Sequence, residues 1–69
     1  MNRDQLLRAL RRYCRANGLE APRFVARHGR GGHGRIFIGE VFTTIPWGEL
    51  KAPTREGILR QLGLPKDSI

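Results

Sequence analysis

Cysteine, acid and long apolar stretches are scarce in this chain, and each shortage removes a class of protein. The one cysteine, Cys14, cannot close an internal disulfide, so a disulfide-stapled secreted scaffold is excluded and a reducing compartment is expected. Charges interrupt every apolar stretch well short of the about 20 residues a membrane helix needs. The opening Asn2-Arg3-Asp4 also lacks the charged-then-apolar order of a signal peptide, so the expectation is a cytoplasmic protein with no membrane contact. The 6 Asp and Glu, together with His and Cys, show no metal-ligand spacing, and neither a metal site nor a cofactor is expected. At 69 residues there is no room for a nucleotide-binding unit plus a substrate domain. One domain spanning 1–69 is expected, working through a shallow surface or a partner.

What the chain has in excess is arginine. The 13 Lys and Arg give a formal net charge of +7, and all but Lys51 and Lys66 are arginine, whose planar fork grips phosphate where lysine offers only a point charge. Arg8, Arg11, Arg12 and Arg15 alone could be a solvated helix face, but the basic excess runs on through loop and strand, which points to nucleic acid as the partner.

Leu6, Leu7, Leu10, Tyr13 and Cys14 fall at helical spacing with the arginines opposite, predicting an amphipathic helix over about residues 3–17. Asn2 with Gln5 reads as a capping box, and Gly18 as the left-handed cap at the other end. Three strands follow: Arg23 to His28, Arg35 to Ile38 and Val41 to Ile45. The last two are joined by the Gly-X hairpin turn Gly39-Glu40. Pro46 stops the third strand, a loop runs to Pro53, and Thr54 caps a second helix that buries Ile58, Leu59 and Leu62 and ends at Gly63. Pro65 to Ile69 reads as a single turn. The fold expected is α+β: a two-layer α-β-β-β-α sandwich with a three-stranded antiparallel sheet, both helices on one face and the other face open.

The chemistry-bearing segment is Gly29-Arg30-Gly31-Gly32-His33-Gly34-Arg35. Its glycines match the dinucleotide fingerprint and the G-x-x-G of KH domains. The first needs a strand leading into a helix and the second joins two helices, whereas this segment leads into a strand. What remains is an anion-binding nest of Gly31, Gly32 and Gly34 with Arg27, Arg30 and Arg35 as phosphate ligands. His33 reads either as a surface histidine of a hairpin loop or as a general base that takes the proton from an RNA 2′-OH. His28 is a secondary candidate, more simply a strand-edge residue. Trp47 could stack on a base, but closing the core beneath the 46–53 loop is the favoured reading. Phe24, Phe37 and Phe42 read as core or sheet residues and not as a stacking platform.

Leu6-Leu7 with Leu10, the Gly32-His33 pair before Ile36-Phe37, Thr43-Thr44-Ile45-Pro46, and Thr54-Arg55-Glu56-Gly57-Ile58-Leu59-Arg60-Gln61-Leu62-Gly63-Leu64 together resemble the HicA family of mRNA interferase toxins. The resemblance covers nearly the whole chain. It implies a fold like that of the double-stranded-RNA-binding domain and a single catalytic histidine, matched by His33, that cleaves RNA without a metal. It further implies a HicB-like antitoxin that covers this histidine. Relatives commonly carry Ser or Thr directly before the histidine, where this chain has Gly32.

Overall fold

The computed structural model describes residues 1–26 and 34–69. Helix α1 (Arg3–Ala16) is followed by strands β1 (Arg23–Ala26), β2 (Gly34–Ile38) and β3 (Val41–Ile45) and by helix α2 (Ala52–Gln61). The chain is therefore a small α+β fold in the order α-β-β-β-α, as its periodicities predict.

The capping box at the start of α1 is fully made: the Gln5 backbone N–H donates to Asn2 Oδ1 at 2.8 Å, and the Asn2 N–H donates to Gln5 Oε1 at 2.9 Å. Both helices end on a glycine in the left-handed region, Gly18 at φ +67° and Gly63 at φ +76°. The next N–H then reaches back over the end of the helix, Leu19 to the Cys14 carbonyl at 2.9 Å and Leu64 to the Leu59 carbonyl at 2.8 Å. This wrap satisfies carbonyls that the helix itself leaves open.

Helix α2 starts earlier than its sequence suggests. Lys51, not Thr54, is the N-cap residue, and no side chain caps this end. Proline explains the difference. Pro53 sits in the first turn, where no N–H is needed and its fixed φ suits the helix, so the helix runs upstream through it instead of starting behind it. The Arg55 side chain then folds back, its Nη1 donating to the Leu50 carbonyl at 2.6 Å.

The sheet is antiparallel with β2 in the centre; Phe24 pairs with Ile36, which pairs with Thr43. Gly39 closes the β2–β3 hairpin at φ +61°, the conformation a Gly-X turn requires at its first position. Because side chains alternate across a strand, this register sorts the residues into two faces. Phe24, Gly34, Ile36, Thr43 and Ile45 point toward the helices. Arg23, Val25, Arg35, Phe37, Phe42 and Thr44 point away from them.

The core joins Leu6, Leu7 and Leu10 of α1, Ile36 and Ile45 of the sheet, Leu50 of the loop, and Ile58, Leu59 and Leu62 of α2. Both helices therefore cover the same sheet face. Thr43, a buried polar residue of β3, donates its hydroxyl to Gln61 Oε1, so this hydroxyl keeps a hydrogen bond on burial. Cys14 is fully buried, and desolvation pushes its thiol above its ordinary pKa. After α2, the Ser68 N–H donates to the Pro65 carbonyl at 3.1 Å, closing the single turn expected at 65–69.

Candidate nucleic-acid interface

Of the residues that the sequence marks for phosphate chemistry, Arg27, His28, Arg30, Gly31, Gly32 and His33 lie outside the described residues. Gly34 and Arg35 are described, and they fix where this segment joins the fold. Ala26 pairs with Gly34 and Gly34 with Ile45, so β1 ends, β2 begins and β3 ends at one end of the sheet. From that end β3 hands over directly to Pro46-Trp47-Gly48.

Gly34 is buried against a ring. A Cβ at this position would lie 2.5 Å from both Cε1 and Cζ of Phe24 and 3.1 Å from the Val25 carbonyl oxygen. Glycine here serves close packing between neighbouring strands. Arg35, one residue on, faces the opposite side of the sheet, with its guanidinium carbon 5.1 Å from the Phe42 ring centroid. Gly34 and Arg35 thus work on different faces.

Sequence reasoning missed a cluster at this same end. The guanidinium carbon of Arg3, the first helical residue of α1, lies 4.6 Å from the Phe24 ring centroid and 3.7 Å from that of Trp47. Trp47 does not close the core: it is 55% exposed and leans on Arg3 from outside. The loop explains why. Leu50 fills the core position beneath residues 46–53, and the Leu50 N–H anchors there on the Met1 carbonyl at 2.7 Å, which leaves the tryptophan no interior site. Asn2, Arg3, Asp4, Trp47 and Gly48 line a cavity of about 160 Å³. No periodicity connects Arg3 with Trp47, so only the folded chain brings them together.

The open sheet face is richer than its sequence suggests. Phe37 and Phe42 pair across β2 and β3 with centroids 5.4 Å apart and rings tilted by 33°. Arg23 lies 5.1 Å from the Phe37 centroid, mirroring Arg35 over Phe42. Phe42 and Val25 are each about half exposed. Phe24 alone of the three phenylalanines packs against the core.

On the outer surface of α1, Arg8, Arg11, Arg12 and Arg15 are all exposed. The one ion pair among the described residues joins the Met1 ammonium to Glu49, whose carboxyl that ammonium holds below its ordinary pKa. The α1 arginines therefore have no acidic partner among the described residues, and their field is directed at solvent. A hollow of about 310 Å³ runs between Met1, Gln5, Arg8, Ala9 and Arg12. Among the described residues, no three His, Cys, Asp or Glu side chains group as metal ligands, and no helix is long and apolar enough to cross a membrane.

No family model, curated protein or solved structure matches the chain.

Proposed function

We propose that this chain is an RNA-cleaving toxin of the HicA kind, with His33 as its catalytic base and single-stranded mRNA as its substrate. The observation that carries the reading is the meeting of three features at one end of the sheet: the root of the His33-bearing segment at Gly34, an exposed tryptophan, and the start of a helix lined with exposed arginines. The α-β-β-β-α order also agrees with what the HicA resemblance implies.

In the proposed reaction, His33 removes the proton from a ribose 2′-OH and the freed oxygen attacks the adjacent phosphorus. The P–O5′ bond breaks, leaving a 2′,3′-cyclic phosphate, and the 5′-oxygen takes a proton from the imidazolium or from water. Arg30 stabilises the charge that builds on the phosphoryl oxygens, and the glycines let backbone N–H groups approach them. This chemistry requires the 2′-OH and no metal. A HicB-like antitoxin completes the picture as an acidic partner that covers His33, matched in charge to the +7 chain. Such a system works in the cytoplasm.

Induced expression tests the reading in cells. The wild type should arrest growth and truncate mRNA, while His33→Ala, produced at the same level, should do neither. Equal arrest by both removes His33 from the mechanism.

A second reading is a non-catalytic RNA-binding module, favoured by the Phe37–Phe42 pair flanked by Arg23 and Arg35, which offers stacking and charge with no need of His33. It requires RNA binding with no cyclic-phosphate ends.

A further inference from the structure

We propose that Trp47, backed by Arg3 and bordered by Asp4, seats one unpaired nucleobase that carries an exocyclic amino group. This deepens the RNA reading above and rests on it for the class of ligand.

Trp47 is exposed without a packing reason. It is the largest apolar side chain of the protein, yet more than half of it meets solvent, and among the described residues its one close aromatic or cationic neighbour is the Arg3 guanidinium. An indole with one face covered reaches that exposure only if its other face is open. Arg3 is half-buried between Phe24 and Trp47, so the ring is held from behind by a stack that reaches the core through Phe24. A rigid aromatic face costs little ordering entropy to use, and such faces are what unstacked bases occupy in single-strand binders.

The chemistry of the cavity points the same way. Its acid is Asp4, whose carboxylate repels phosphate and accepts hydrogen bonds from amino groups such as cytosine N4. Uracil is disfavoured because its N3–H is flanked by two carbonyl oxygens. Phosphate ligands stand close by on the same helix face: Asp4, Arg8 and Arg12 are spaced four residues apart, so a strand whose base enters at Trp47 finds cations one and two turns further along α1.

Trp47 is the sole tryptophan, so its fluorescence reports this site directly. The full chain is titrated with 2′-O-methyl hexanucleotides of C, A or U, which bind without being cleaved, and with an abasic oligomer of equal charge. C and A oligomers should quench the indole and bind several-fold tighter than U, while the abasic oligomer should leave the emission unchanged. With end-labelled oligomers, Trp47→Ala should weaken C and A binding roughly tenfold, Trp47→Phe should restore most of it, and Asp4→Asn should erase the preference over U. Circular dichroism of each variant separates lost binding from lost folding. Equal quenching by the abasic oligomer, or unchanged affinity in Trp47→Ala, overturns the site, and a retained preference in Asp4→Asn overturns the role of the carboxylate. Quenching by no oligomer also overturns it and leaves the tryptophan to a protein contact. If quenching is present but cleavage absent, the nuclease reading fails and the base site stands. Cleavage without quenching removes the base site alone.

Discussion

Replacing Gly34 with alanine tests whether the packing that roots the His33 segment is as tight as its geometry requires. Gly34 is not among the residues with positive φ, so alanine meets no backbone penalty and its whole cost is steric. The new methyl would lie 2.5 Å from two ring carbons of Phe24, about 1 Å inside a comfortable carbon–carbon contact, and 3.1 Å from the fixed Val25 carbonyl. The ring has little room to retreat, because Arg3 covers its face and the core lies beside it. Overpacking of this kind costs about 1–3 kcal/mol, and each kcal/mol lowers the melting temperature of so small a domain by about 4–8 °C. Phe24→Leu removes the offending ring edge, so in that background the alanine penalty should shrink to a few tenths, the remnant owed to Val25. Thermal melts of the two single variants and the double variant measure the coupling, expected at about 1 kcal/mol or more. A neutral Gly34→Ala, or a penalty unchanged by Phe24→Leu, refutes the argument.

Three further outcomes follow from the same packing and charge. Gly57 lies within α2 and a Cβ there would meet nothing within 4 Å, so Gly57→Ala should stabilise the domain by about 1 kcal/mol in chemical denaturation; a destabilised variant would contradict that open space. Removing Arg8 and Arg12 together should flatten the dependence of log affinity for single-stranded RNA on log salt by about 1.4, at roughly 0.7 per phosphate contact, and an unchanged slope would place the backbone elsewhere. The Cys14 thiol is buried and its pKa raised, so its folded state resists ionisation, and stability should fall as pH rises toward the range where the unfolded thiol ionises. A thiol reagent should label it only as fast as the chain unfolds; rapid labelling of the native protein would show the helix face to be open.

The elements were legible where local chemistry is self-sufficient. Leu6, Leu7, Leu10 and Cys14 declare their helix by spacing, Asn2 and Gln5 declare its start, and Gly39 declares its turn, because each signal lies within a few residues of what it controls. Thr54 misleads because capping preference competes with the helix compatibility of Pro53, and the outcome depends on Leu50 being drawn into the core. Trp47 misleads for a related reason. A tryptophan in a small domain is ordinarily an anchor, but here Leu50 holds the interior position and Arg3, 44 residues away in sequence, supplies the contact. The aromatic pair of Phe37 and Phe42 follows from strand register, which alternation hints at and only cross-strand pairing fixes. Gly34 reads from the sequence as part of an anion nest; its described surroundings add a packing role against Phe24 that spacing does not show, and the glycines and histidine before it lie outside the described residues.

The most direct test of the central claim is the fate of a defined single-stranded RNA incubated with the purified chain in EDTA. The expected result is cleavage to 2′,3′-cyclic-phosphate ends by the wild type, none by His33→Ala, and none of the same sequence carrying 2′-O-methyl groups. Cleavage that persists in His33→Ala, that proceeds on the 2′-O-methyl strand, or that disappears with EDTA would contradict it.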